Sequence, residues 1–129
     1  MEVNIPEVVA EVQAVFLRYQ RAVDTNDVET MNALFWNSPF TIRFAPNGTL
    51  IGHEAIATYR QTRTASPAER KLQNTVITTF GRDFAATNTE STKTGVCKVS
   101  RQSQAWFRTP HGWRIVAAHV SDQPVAGQS

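Results

Sequence analysis

The chain changes texture once, near residue 70, and that single change constrains the fold more than any other feature. Before it, apolar residues recur at helical spacing, interrupted by one short hairpin. After it, VITTF, FAATNTES, SQAWF and WRIVAAHV are rich in β-branched and aromatic residues. Turn-forming stretches separate them: Gly81-Arg82-Asp83, the region of Gly95, and Pro110-His111-Gly112. Four long antiparallel strands joined by hairpins follow. Helices gathered in the first half can cover only one side of such a meander, so the expected class is α+β. The expected shape is a half-open cone: a curved, mostly antiparallel sheet of about six strands forms the wall, with three helices on its concave side.

The first half supports this shape in detail. Pro6 suits a first helical turn, with Glu7 placed well against the helix dipole. Val8, Val12, Val15, Tyr19 and Val23 then form a helical stripe that Val9 and Phe16 widen, ending near Thr25-Asn26. Asp27 reads as the N-cap of a second helix whose Val28, Met31, Leu34 and Phe35 face inward, and Ser38-Pro39 ends it. Phe40 to Phe44 and Thr49 to Ile51 read as a hairpin around Pro46-Asn47-Gly48, and Gly52 to Arg63 as a third helix. Ser66 to Glu69 has the pattern of a short capped turn. One domain over residues 1–129 is expected, with residues 122–129 frayed.

Composition excludes several classes. The 129 residues carry a formal charge of only +2, with Lys and Arg scattered, which argues against a nucleic-acid surface. One cysteine, Cys97, rules out an internal disulfide and suits a reducing compartment. The N-terminus has neither a basic leader nor a long apolar run, so a cytoplasmic chain without membrane contact is expected. His53, His111, His119 and Cys97 show no ligand spacing, and no metal site is expected. No phosphate-cradling loop or activated nucleophile is recognisable.

The residues that stand out suit an anion. Arg43 is planted mid-strand on the face opposite Ile42 and Phe44. A snorkelling arginine at the sheet rim and a guanidinium fork for a carboxylate fit that position equally well. Tyr19, on the apolar stripe, reads first as a core tyrosine and second as a phenol able to donate or relay a proton in the cavity. Arg63, at the end of the third helix, suits the helix dipole but also lies near the expected mouth as a second anion contact. Trp36 closes the second helix as a core residue or a ligand stack. The last strand is apolar on both faces, Ile115 and Ala117 on one and Val116, Ala118 and Val120 on the other, with His119 placed beside Ile115 and Ala117. Helices cover one face only, so a second copy is expected on the outer face.

The order of elements and the closing WRIVAAHVS resemble the nuclear transport factor two-like (SnoaL/ketosteroid isomerase-like) superfamily. The blocks LFWNSP, TIRF, GHEAI, YRQTR, TVITTFGRDFA, RQSQAWF and GWRIVAAHVS look more specifically like the AtzH/HpxZ family of bacterial cyanuric-acid and oxalurate catabolism. That resemblance implies a decarboxylating amidohydrolase taking 1,3-dicarboxyurea to allophanate without metal or organic cofactor. It places a functional pair at Tyr19 in FLRYQ and Arg43 in TIRF, with a small anionic ureide as substrate. Two alternatives stay open: proton transfer at carbon, for which Glu90 is the available mid-strand carboxylate, and an accessory subunit docking on an amidohydrolase.

Overall fold

The computed structural model describes residues 1–66 and 68–125. The apolar stripe of the first segment forms helix α1 (Pro6–Thr25), which buries Val8, Val12, Phe16, Tyr19 and Gln20. Asn26 ends it in a left-handed conformation, φ 53°. Asp27 caps helix α2 (Val28–Leu34) by accepting from the Thr30 amide at 3.1 Å. Strands β1 (Ile42–Ala45) and β2 (Gly48–Ile51) make the expected hairpin, closed by Pro46-Asn47. Helix α3 (His53–Arg60) follows, three residues shorter at its end than its pattern suggests.

The four long strands are β3 (Arg70–Phe80), β4 (Phe84–Lys93), β5 (Lys98–Thr109) and β6 (Gly112–Pro124). The sheet order is β2-β1-β6-β5-β4-β3, and every pair is antiparallel except β1 with β6. The expected six-stranded, mostly antiparallel sheet with three helices is therefore present. Its concave face holds the core, in which Trp106, Ile115, Met31, Leu34, Phe35 and Ile56 are fully buried. Backbone bonds between Asn4 and Thr79 and between Gly81 and Glu2 tie the segment before α1 to the end of β3.

Two irregularities curve the wall, as bulges do by adding a residue to one strand. One lies in β3 between Gln73 and Val76, where Asn74 is left-handed. The other makes Val116 the extra residue, since Ala105 pairs with Ala117 but Trp106 pairs with Ile115. That extra residue overturns the expected faces of the last strand. Ile115 and Ala118 both face the core, whereas Ala117 and His119 are exposed on the outer face.

The expected fraying does not begin at residue 122, since β6 runs on to Pro124. Asp122, Gln123 and Pro124 pair with Ser100, Val99 and Lys98, and Asp122 accepts from Lys98 and Ser100 side chains. Residues 126–129, and Pro67 of the expected Ser66–Glu69 turn, lie outside the described residues. Among the described residues no helix is long and apolar enough to cross a membrane.

Candidate functional site

Inside the cone lies a cavity of about 220 Å³ whose charged lining is wholly basic: Arg43, Arg60, Arg63, Arg70 and Lys93. No carboxylate lines it among the described residues. Tyr19, Tyr59, Gln102, Gln104, Ser91 and Ala118 supply most of the remaining wall.

Arg43 enters from β1, paired with Leu50 on one side and Ala118 on the other, on the inner face as alternation requires. Its guanidinium lies 5.4 Å from the centre of the Tyr59 ring. Among the described residues it makes no salt bridge and no side-chain hydrogen bond. A half-buried guanidinium without a partner retains its full fork for a ligand.

Arg60 is the most buried cation, 3 % exposed, and no carboxylate accompanies it. It donates to Asn32 Oδ1 at 3.1 Å and to the Tyr19 hydroxyl at 3.2 Å. Its guanidinium stacks 4.2 Å from the Phe35 ring centre. Burial pushes its pKa down, with the neighbouring Tyr19 opposing that and Arg43 and Arg63 reinforcing it. Because an Arg60 N–H takes a lone pair of the phenol oxygen, the Tyr19 proton is directed to another acceptor.

The expected cation of this helix is Arg63, whereas the buried one is Arg60, three residues earlier. The discriminating signal was the i,i+4 step from Ile56, which is fully buried and shares its face with Arg60. Arg63 lies beyond the end of α3 and is largely committed elsewhere. It donates to Asn26 Oδ1 at 2.6 Å and to the Val23 carbonyl at 3.2 Å, securing the end of α1, while still bordering the cavity.

Trp36 does not line this cavity. Phe35 is extended and bridges Ile115, so consecutive side chains point to opposite sides. Phe35 turns inward, tilted against Tyr19 at 5.7 Å, and Trp36 turns into a separate depression with His53, His111 and Arg114. His53 is engaged by the Asn32 carbonyl at 2.8 Å, and the His119 ring meets Phe44 edge-on.

Glu90 is outside the cavity as well. Arg101, Asn74 and Gln73 all donate to it, and those bonds, led by Arg101, hold its pKa down at about 2. Outside the cavity and with three donors on its oxygens, Glu90 is not placed to take a proton from a ligand held there.

Three further residues of the site carry no local signal strong enough to single them out: Gln20, Arg70 and Gln104. Gln20 continues the i,i+4 row of Val8, Val12 and Phe16, is 3 % exposed, and accepts from Arg70 at 2.8 Å. Arg70 also pairs with Asp24 at 2.7 Å. Gln104 alternates with Trp106 on the inner face of β5 and is likewise buried.

Solved structures resemble this cone closely. A cystatin-like fold protein from Burkholderia xenovorans LB400 is 49% identical, with a TM-score of 0.93 over 97% of this chain and 98% of that one. A protein of unknown function from Pectobacterium atrosepticum SCRI1043 is 46% identical, with a TM-score of 0.91 over 94% of each chain. A nuclear transport factor two-like superfamily protein from Salmonella enterica is 26% identical, with a TM-score of 0.72 over 95% of this chain and 94% of that one. Among curated proteins none matches the chain. The model of the AtzH-like family matches residues 1–125, and this nuclear transport factor two-like cone belongs to that family.

Proposed function

We propose that the protein is a cytoplasmic decarboxylating amidohydrolase acting on a small N-carboxylated urea such as 1,3-dicarboxyurea. The observation that carries this reading is the carboxylate-free basic cavity with a phenol at its wall. Arg43 holds one carboxylate of the substrate, and Lys93 and Arg63 add positive potential at the border. The substrate nitrogen takes a proton, its bond to the departing carboxyl carbon breaks, and the electron pair of that bond stays on nitrogen. The products are allophanate and CO2. Tyr19 is suited to supply or relay that proton, since Arg60 occupies its oxygen and leaves its O–H to donate. Desolvation near Phe35 and Met31 favours the step, because the leaving CO2 is uncharged while the bound carboxylate is not. The protein acts as a homodimer joined through the outer sheet face.

Carbon-13 NMR of freshly prepared 1,3-dicarboxyurea with the purified protein tests this directly. Conversion to allophanate and CO2 above the spontaneous rate is expected. Tyr19→Phe is expected to lower kcat about 100-fold or more with little change in KM, the range general acids supply. Arg43→Lys is expected to raise KM and lower kcat together, because an ammonium cannot reproduce the planar fork. A wild-type trace equal to the protein-free background would exclude this activity for the isolated chain and favour the accessory-subunit reading.

A further inference from the structure

Gln102 and Gln104 line the cavity, and no step of the proposed reaction uses them. Their amides are oriented by hydrogen bonds that start from groups able only to donate, the Trp106 indole and the Arg70 guanidinium. The Trp106 indole N–H is shared between Thr87 Oγ1 at 3.0 Å and Gln104 Oε1 at 3.2 Å, and the Thr87 hydroxyl, accepting from the indole, donates its own proton to the same Gln104 oxygen at 3.1 Å. Indole nitrogen has no acceptor role, and a flipped amide would set NH2 against the indole N–H, so the Gln104 carbonyl faces the wall and its NH2 faces away from it.

Gln102 is set by a longer relay. Arg70, a donor only, takes Gln20 Oε1 at 2.8 Å. Gln20 Nε2 must then donate, and it does so to Gln102 Oε1 at 3.1 Å. The Gln102 NH2 is left over. Neither of these two NH2 groups has a hydrogen-bond partner among the described residues.

The sheet register places this donor wall relative to Arg43. Arg43 pairs with Ala118, and Ala118 pairs with Gln104, so the three occupy one row across β1, β6 and β5 on the inner face. Two strand spacings, about 9–10 Å, separate the backbones of Arg43 and Gln104. Only a methyl group stands between them. A small molecule resting on Ala118 is thus flanked by a guanidinium on one side and an amide donor on the other.

We infer that Gln104, assisted by Gln102, is the specificity wall of the anion cavity, donating to a carbonyl oxygen of a ligand whose carboxylate Arg43 holds. This rests on the anion-binding reading of the cavity given above. The ligand class is a short carboxylate with a second oxygen acceptor at its far end. An apolar or cationic group there leaves the amide donors unpaired or repelled.

Calorimetric titration with acetoacetate and isovalerate tests the assignment, because both are monoanions and differ chiefly by a ketone oxygen in place of a methyl group. The wild-type protein is expected to bind acetoacetate at least fivefold more tightly, which one good hydrogen bond supplies at about 1 kcal/mol. Gln104→Glu keeps an acceptor for Trp106 and Thr87 but removes the donor. Its added charge weakens both anions alike, so the ratio is the readout, and it is expected to fall within twofold of one. Gln102→Met, at a half-buried position, is expected to reduce the ratio partially, with thermal melting to show that each variant is folded.

Equal binding of the two anions by the wild type would overturn the donor wall while leaving the anion cavity standing. Binding of neither would overturn the anion reading and this inference with it. An undiminished preference in folded Gln104→Glu would overturn the role of Gln104.

Discussion

At the residue scale, Arg60 is the least expected group in the molecule. Taking a guanidinium out of water is costly unless an anion compensates it, and this one has only Asn32, a phenol and an aromatic face. Such a residue stores binding potential at the expense of stability. Arg60→Met fills similar volume without the charge, so it is expected to keep at least the wild-type Tm. The same variant is expected to lose the rise in Tm that an anion such as acetoacetate gives the wild type, because that rise follows ligand affinity. Differential scanning of both proteins with and without the anion decides it. A lower Tm with an intact anion response would make Arg60 a structural residue only.

At the element scale, the placing of α3 depends on one glycine. Gly52 has φ 92° and ψ 145°, a region that a side chain makes strained, and its N–H bonds the Thr41 carbonyl at 2.7 Å as the chain turns from β2 into the helix. An added Cβ would meet the Pro39 carbonyl oxygen at 3.6 Å, ordinary contact, so the strain comes from the backbone and not from crowding. Gly52→Ala is expected to cost about 1–3 kcal/mol in urea unfolding. Because Tyr59 and Arg60 ride on this helix, ligand affinity is expected to fall as well. Unfolding free energy equal to wild type would show that the turn relaxes freely.

At the scale of the whole molecule, the outer face of the sheet is more apolar than a lone protein surface needs. Phe44, Phe84 and Phe107 are each at least 40% exposed, and Ile42, Ala105 and Ala117 line a shallow apolar depression near Phe44. The proposed two-fold dimer would cover this face. Ala105→Arg places a charge at its centre and is expected to convert the dimer to monomer in sedimentation velocity, with the inner cavity intact. A wild-type protein that sediments as a monomer at tens of micromolar would remove the dimer.

The class, the element order, most helix and strand bounds and the inward placing of Tyr19 are legible in the chain alone, as is the face of β1 that Arg43 takes, opposite Ile42 and Phe44. These follow from local periodicity, capping at Asp27 and turn chemistry at Pro46-Asn47, all of which act over a few residues. Which neighbours meet is set by contacts between distant parts of the chain. The bulge at Val116 depends on how β5 and β6 register, and it reverses the face on which Ala117 and His119 lie. The choice of Arg60 over Arg63 depends on where α3 ends against α1 and α2, and the exclusion of Trp36 from the cavity on the bridge of Phe35 to Ile115, some 80 residues away. The amide relay from Arg70 through Gln20 to Gln102 spans three separate elements, so no local pattern encodes it. Periodicity carries the sign of each face, whereas long-range pairing decides which side chains share the cavity.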